Sequence, residues 1–266
     1  MNTSINLKKT NFLFILFIFG LHLFFLKKQL IMKKMPFCLA TIMLLILSVT
    51  SIKTNAQAFQ KGNWNIDVDL GLGIYATETT TTIKANAFGF NFSDTDTDKD
   101  GTASSIFRVG VEYGISNKFG IGLKIGASNY FIDEEDKDTV KSVKSTDFAI
   151  HVNYHLLNAD KNDLFLTLGL GIANANWEYH DIQGALLKSA KGNGGYFTLG
   201  ITDRIFFSDN IGMLFSLNFP LMNIKIDPEL SDDFAAGLNA FNVDYDIDMK
   251  MTLRGVYLGT GLAIKF

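Results

Sequence analysis

Residues 64–74 read WNIDVDLGLGI, a stretch in which apolar residues alternate without a break with polar residues or glycine. The apolar side runs from Trp64 to Ile74 at every second position, and the other side holds Asn65, Asp67, Asp69, Gly71 and Gly73. A period of two is typical of a β-strand whose two faces meet different surroundings. This stretch therefore predicts a strand with one apolar face and one face of small and polar side chains.

The same alternation recurs seven more times after residue 58, where no window has a convincing helical period. The sequence predicts strands near residues 63–74, 107–115, 119–128, 147–156, 164–173, 196–205, 211–219 and 255–266. A soluble sandwich would cover its outer face with Lys, Glu and Thr, whereas here the less apolar face is mainly Gly, Ala, Ser and Asn. Small side chains on one face of every strand suit the narrow interior of an eight-stranded barrel.

The apolar faces of such a barrel point outward, which is costly in water but suits lipid. We therefore predict an all-β fold, an eight-stranded antiparallel up-and-down transmembrane β-barrel. A soluble barrel of the lipocalin kind is the alternative.

Long and short connections alternate strictly along the chain. The predicted long connections are residues 76–103, 132–146, 178–194 and 222–250. The predicted short ones are 116–118, 157–163 and 208–210. This alternation is typical of outer-membrane barrels, whose extracellular loops are long and whose periplasmic turns are short. It predicts a bacterial outer-membrane location with both termini in the periplasm and the long loops outside the cell.

Two places fit this pattern poorly. Asp203 falls on the apolar face of the sixth strand, so it should lie near the membrane interface or be displaced by a bulge. In the last strand the alternation changes phase at Arg254 and Gly255. We expect either a bulge there or a strand that continues beyond the membrane.

The first 58 residues are set apart by their charge, because they contain seven basic and no acidic residues. Lys33 and Lys34 precede an apolar run at residues 35–49. This run is followed by two possible cleavage motifs, one ending at Ala56 and the other at Ala58. This order is typical of a secretory signal peptide, with cleavage after either alanine. A membrane hairpin that includes the earlier run at residues 11–26 is the alternative, but both runs are shorter than the ~20 residues of a spanning helix.

Domain boundaries follow from this signal. Met32 directly precedes it, which suggests that residues 1–31 are an upstream extension and that translation begins at Met32. We assign residues 32–58 to the signal peptide and residues 59–266 to the barrel. The only cysteine, Cys38, lies in the signal.

The last strand ends in an aromatic residue, Phe266, which alternates with Leu262 and Ile264. With the signal, the eight strands and the connection lengths, the chain resembles the small outer-membrane β-barrels of the OmpA, OmpX and OmpW kind. The resemblance implies that these three residues form the signal read by the barrel-insertion machinery. It covers residues 60–266 as architecture and carries no catalytic motif, so it implies a location rather than an activity.

Charged residues on the less apolar faces are the candidates for a site inside the barrel. We expect an ion-paired and hydrogen-bonded lumen, which is structural unless it tunes a solute path. Its members are Asp67, Asp69, Arg108, Glu112, Lys124, His151, His155 and Arg204. The two histidines lie about 13 Å apart along a strand at ~3.3 Å per residue, too far to share a metal ion.

The long connections contain 19 acidic and 9 basic residues. Within the first, Asp94, Asp96, Asp98 and Asp100 alternate before a glycine, like the start of a calcium loop. The glutamate expected at the twelfth position is replaced by Phe107, so calcium is a weak expectation and no other cofactor is predicted.

The predicted function is structural or surface-interacting: a monomeric barrel with a mostly filled lumen that serves envelope integrity, adhesion or ligand display. A narrow channel for small or hydrophobic solutes is the alternative, and a lipid-modifying enzyme is less favoured because no nucleophile motif is present. Predicted partners are outer-membrane lipid, lipopolysaccharide and the barrel-insertion machinery. The acidic net charge after residue 58 argues against nucleic acid.

Overall fold

A computed structural model describes residues 57–87, 90–180, 186–240 and 243–266. The predicted upstream extension and all of the predicted signal peptide except its last two residues lie outside these ranges. Within them, no helix is long and apolar enough to span a membrane.

Eight strands and one short helix make up the described part. The strands are β1 Trp64–Ala87, β2 Phe90–Gly114, β3 Phe119–Tyr130, β4 Val140–Asn158, β5 Asn162–Tyr179, β6 Leu187–Phe206, β7 Ile211–Leu230 and β8 Asp244–Lys265. The helix α1, Asp232–Ala240, lies between β7 and β8. Every strand pairs antiparallel with the next, and β8 pairs with β1 to close the ring. This confirms the predicted all-β, eight-stranded, up-and-down barrel.

The two ends of the barrel differ. One end carries the short turns at residues 115–118, 159–161 and 207–210 and both ends of the described chain, and we call it the turn end. The other end carries the remaining connections, and we call it the hairpin end. The strands reach different heights there, since β3 has 12 residues and β2 has 25.

Apolar side chains face outward on every strand. Leu70 on β1 and Leu170 on β5 are both 61% exposed, whereas the neighbouring inward Asp69 is 3% exposed. On β1 the apolar outer positions extend from Ile66 to Ile74, about 26 Å at ~3.3 Å per residue. Nine residues is the length with which a tilted β-strand crosses a bilayer. We call this belt of outward apolar side chains the apolar band.

The burial pattern reverses beyond the apolar band toward the hairpin end. On β8, Leu258 points outward and is 55% exposed, while Leu253 points inward and is 4% exposed. On β7 the inward Met222, Ile224 and Ile226 are buried in the same way. A part of a barrel whose apolar side chains are buried on the inside is suited to water on its outside. β7 and β8 therefore continue without interruption from a part that is apolar outside to a part that is apolar inside.

This reversal corrects the predicted bulge at Arg254 and Gly255, which was wrong. The pairing of β8 with both β1 and β7 has no register shift at these residues. The alternation changes phase because the buried face changes from the outside to the inside, so the alternative interpretation, a strand that continues beyond the membrane, agrees with the structure.

The predicted long connections were too long, because strands continue beyond the apolar band. Residues 76–87 and 90–103 form the upper parts of β1 and β2, and residues 244–250 belong to β8. Asp203 faces outward near the turn end without any register shift, and its carboxylate accepts a hydrogen bond from the Asn162 side-chain amide at 2.7 Å.

Candidate functional site: the barrel lumen

The lumen holds three layers of side chains. The layer nearest the turn end is charged, the middle layer combines tyrosines with charged groups, and the layer nearest the hairpin end is apolar. All three are built from alternate residues of the strands, because side chains of one parity point into the barrel.

Arg204 organises the layer nearest the turn end. Its Nε and Nη2 donate to the two carboxylate oxygens of Asp67 at 2.9 and 2.6 Å. Its Nη1 lies 2.8 Å from Glu112 Oε2 and 3.0 Å from Asp163 Oδ2. The guanidinium also covers the ring of Phe165 at 4.3 Å. One arginine with no exposed surface thus joins carboxylates from β1, β2 and β5.

His155 extends this layer on β4. Its Nδ1 is 2.5 Å from Asp163 Oδ1, and its Nε2 is 3.1 Å from Glu112 Oε1. Asn153 donates to the same Glu112 oxygen at 2.6 Å and accepts from Thr167 at 2.8 Å. Both ring nitrogens of His155 are therefore engaged by carboxylates, so neither is free to activate a nucleophile as a general base.

Glycines on β3 make room for these groups. A Cβ at Gly120 would overlap the Glu112 carboxylate, and one at Gly126 would overlap the Asp147 carboxylate. The small residues on the lumen face are therefore required by the large polar side chains that neighbouring strands place opposite them.

Arg108 occupies the middle layer. Its Nη2 donates to the Tyr196 hydroxyl at 3.1 Å, and its guanidinium lies over the Tyr257 ring at 4.4 Å. The Tyr257 hydroxyl donates to Asp69 Oδ1 at 2.8 Å. Arg108 Nε and Asp147 Oδ2, both buried, have no hydrogen-bond partner among the described residues.

The layer nearest the hairpin end is an apolar core. It contains Tyr75, Ile106, Met222, Ile224 and Leu253, all less than 5% exposed. Trp177, Met249 and Met251 pack against this core from the rim. A polar solute that entered from the hairpin end would have to displace these side chains.

The segment before β1 closes the turn end. Ala58 and Phe59 have no exposed surface, and the Phe59 ring stacks on His155 with centroids 3.5 Å apart. The Phe59 amide donates to Asn158 Oδ1 at 2.8 Å, and the Ala58 amide donates to the Ala159 carbonyl at 2.7 Å. Phe59, the first residue after the predicted signal, and Ala58, the last residue assigned to that signal, are therefore both part of the folded barrel.

The structure places all eight predicted lumen residues on the inner face. Arg204, Asp67, Glu112 and His155 come together in one layer, and Arg108 and Asp69 meet through Tyr257 in the next. Lys124 and His151 face inward but join no ion pair within 4 Å in the described ranges.

Sequence reasoning missed four members of these layers. Asp163 was assigned to a turn, although it is the first inward residue of β5. Asp147 and Tyr196 share the parity of the predicted lumen residues on their strands, and Tyr257 lies on the less apolar face of the last predicted strand, so the alternation itself contained the signal that identifies them.

The four aspartates proposed for calcium lie on β2 rather than in a loop. Asp94, Asp96, Asp98 and Asp100 are all exposed and pair with Ile83, Thr81, Thr79 and Thr77 of β1. Alternate residues of a strand are about 6.6 Å apart at ~3.3 Å per residue, so four such carboxylates do not converge on one ion. Among the described residues, no group of three or more His, Cys, Asp or Glu side chains is placed to hold a metal.

The predicted assembly signal lies at the turn end of β8. Leu262 and Phe266 are 51% and 67% exposed on the outer face, and Ile264 shares this parity. Phe266 and Trp64 exchange backbone hydrogen bonds of 2.9 and 3.2 Å, which ties the end of the chain to the start of β1.

No family model matches the chain, and no curated protein matches it in sequence. Among solved structures it is similar to the outer membrane protein OprG from Pseudomonas aeruginosa, with 13% identity, 78% of this chain and 97% of OprG covered, and a TM-score of 0.44. It is similar to Neisserial surface protein A, with 11% identity, 73% and 97% covered, and a TM-score of 0.42. It is also similar to the outer membrane protease OmpT from Escherichia coli, with 11% identity, 76% and 97% covered, and a TM-score of 0.37. These likenesses concern the fold alone.

Proposed function

We propose that this chain is an outer-membrane β-barrel that is closed to solutes and serves a structural or surface-interacting role. The observation that carries the proposal is an apolar band on the outside of a barrel whose inside is filled by the Arg204 layer, the Arg108 layer and an apolar core. A closed barrel leaves no unpaired strand edge in lipid. In the described part of the chain, the buried charged side chains lie on the inner face.

The difference between the two ends supports one orientation of the barrel in the membrane. The turn end, with short turns and both barrel termini, faces the periplasm, and the hairpin end faces the outside of the cell. Outside, β1, β2 and β8 continue as a sheet that exposes Asp94, Asp98 and Asp246. Such an acidic sheet is suited to envelope contacts, adhesion or ligand display. Lipid of the outer leaflet and the insertion machinery are the partners that we assign to a monomeric barrel.

Planar-bilayer recording tests the closed lumen. Refolded protein should insert without producing stable single-channel steps, because a solute would meet three filled layers in series. The control is gel electrophoresis without heating, in which folded protein should migrate differently from a heated, unfolded sample. This shows that the protein is folded and competent to insert. Reproducible conductance steps from protein that passes this control would contradict the proposal.

A narrow channel is the second candidate, and one observation favours it. Arg108 Nε and Asp147 Oδ2 are buried and unpaired among the described residues, and unpaired polar groups of this kind are usual where water enters a protein. The apolar core around Met222 and Leu253 lies between these groups and the hairpin end, which weighs against a continuous path. The same recordings decide between the two functions.

The absence of enzyme activity stays a prediction. It is supported by the engagement of both ring nitrogens of His155 by Asp163 and Glu112. The test is incubation of the refolded barrel with lipid A, whose mass should stay unchanged. A new lipid A species that depends on folded protein would contradict the prediction.

A further inference from the structure

The outer wall carries a groove at the hairpin end of the apolar band. It has a volume of about 280 Å³ and is lined by Leu170, Phe197, Leu221, Asn223, Gly195 and their neighbours. The groove exists because Gly195 has no side chain, and a Cβ built there would have no atom within 4 Å. The register partners of Gly195 on the neighbouring strands are Ile172 and Asn223, which both have side chains. The missing side chain is therefore confined to β6.

Three basic side chains on β7 and β8 lie outside the lining of this groove but close to it in the strand register. Arg254 is the register partner of Leu221, and Lys225 lies two residues beyond Asn223 on the same outward face. Lys250 is the register partner of Lys225. We call Lys225, Lys250 and Arg254 the basic triad.

The charges of the basic triad are incompletely balanced within the protein. Lys250 is 3.1 Å from Asp248, and Arg254 is 3.3 Å from Glu78, both through exposed side chains. Lys225 forms no ion pair within 4 Å in the described ranges, and its register partner on β8 is another lysine, Lys250. Like charges opposite each other on a sheet repel, and an external anion between them would remove the repulsion.

The position of the triad indicates what kind of anion it meets. The basic side chains of the triad lie where the apolar band ends, next to an apolar groove. An amphiphile with acyl chains and a phosphate group matches both features, because its chains fill the groove while its phosphate meets lysine and arginine. A soluble anion would gain nothing from the groove.

We propose that the groove at Gly195 and the basic triad together bind a phosphate-bearing glycolipid of the outer leaflet, of the lipid A class. This inference rests on the proposed function, which places the hairpin end of the apolar band in the outer leaflet. One acyl chain lies against Leu170, Phe197 and Leu221, and a phosphate lies between Lys225 and Lys250.

Native mass spectrometry of the refolded barrel released from detergent micelles tests this site, with lipid A as the probe. Lipid A should bind at least tenfold more tightly than its dephosphorylated form, and more tightly than phosphatidylglycerol. The double variant K225Q/K250Q should weaken lipid A binding about tenfold. The matched control K84Q/K188Q removes two exposed lysines far from the groove and should leave binding unchanged.

A second variant separates the site from the fold. Gly195→Leu places a side chain in the groove, and its Cβ meets no atom within 4 Å, so the variant should keep a stable barrel and still weaken lipid A binding. Equal binding of lipid A by the unaltered protein, K225Q/K250Q and Gly195→Leu would overturn the proposal, as would tighter binding of phosphatidylglycerol. Inorganic phosphate added in excess should not compete, and full competition would also overturn it, since it would reduce the site to a simple anion site.

Membrane insertion is measured on the same samples by flotation with vesicles. Protein that floats but does not distinguish the lipids contradicts only this inference. Protein that stays soluble and folded without detergent contradicts the proposed function itself.

Discussion

Arg204 and Asp67 form a two-point ion pair across the lumen, with N–O distances of 2.9 and 2.6 Å. They lie on β6 and β1, which are not neighbours in the sheet. The pair therefore joins opposite walls of the barrel rather than adjacent strands. Arg204 also contacts Glu112 and Asp163, which makes it the centre of the charged layer nearest the turn end.

Replacing Arg204 by methionine should lower the free energy of unfolding by about 3–5 kcal/mol, because three buried carboxylates lose their shared cation. The matched variant Arg254→Met removes an exposed ion pair and should cost about 1 kcal/mol or less. Urea unfolding in detergent micelles, followed by tryptophan fluorescence, measures both. Similar midpoints for the two variants would show that the Arg204 layer does not stabilise the barrel.

Phe59 should contribute to stability as a core residue does. Its ring is fully buried and stacks on His155. Phe59→Ala should therefore lower the free energy of unfolding by about 3–5 kcal/mol. Phe207→Ala is the control, since Phe207 is 61% exposed on the turn after β6 and its loss should have a small effect in micelles. The same unfolding measurement compares them, and an unaltered midpoint for Phe59→Ala would mean that the segment before β1 does not close the barrel.

The exported protein should begin at Gln57, two residues before the boundary at residue 59 that was assigned from the sequence. Of the two cleavage sites that the sequence allows, the one after Ala56 keeps Ala58, whose amide bonds to Ala159 and whose side chain packs with Phe206 and Leu214. Cleavage after Ala58 would remove these contacts and place a charged amine on Phe59, inside the barrel mouth. Intact-mass measurement of protein purified from outer membranes should give a chain of residues 57–266. A mass that corresponds to a start at Phe59 would contradict this.

Calcium should not bind to the β2 aspartates with measurable heat. Asp94, Asp96, Asp98 and Asp100 follow one another along a strand, and their carboxylates are too widely spaced to share an ion. Isothermal titration calorimetry of the refolded barrel with calcium should give the same small signal before and after Asp96, Asp98 and Asp100 are changed to Asn. A binding isotherm that this change abolishes would restore the calcium interpretation.

Much of the fold was predictable from the alternation. A period of two and the outward parity of Leu70 or Leu258 were enough to give eight strands, their order and the direction of each face. The lengths of the strands were not, because an apolar outer face marks only the part of each strand that lies within the apolar band. Beyond the apolar band, β7 and β8 bury Met222 and Leu253 on the opposite face, and the threonine-rich part of β1 has no apolar face to recognise.

The site was predictable in its members but not in its contacts. Parity identified Arg204, Glu112 and His155 as inward residues, since parity depends only on the local backbone. Which of them meet depends on the stagger between strands that are far apart in sequence. Arg204 and Asp67 are 137 positions apart in the sequence, which shows why one sequence does not reveal that pair.

The most direct test of the account is a spin-label scan along β8. The chain from Gln57 onward contains no cysteine, so single cysteines from residue 250 to residue 262 can each carry a nitroxide in protein reconstituted into vesicles. Labels at Val256, Leu258 and Leu262 should be relaxed more by oxygen than by a water-soluble nickel complex, and labels at Lys250 and Arg254 more by nickel. If the labels at Val256, Leu258 and Leu262 were instead shielded from both, those side chains would face a protein core, and the outward apolar band would be wrong.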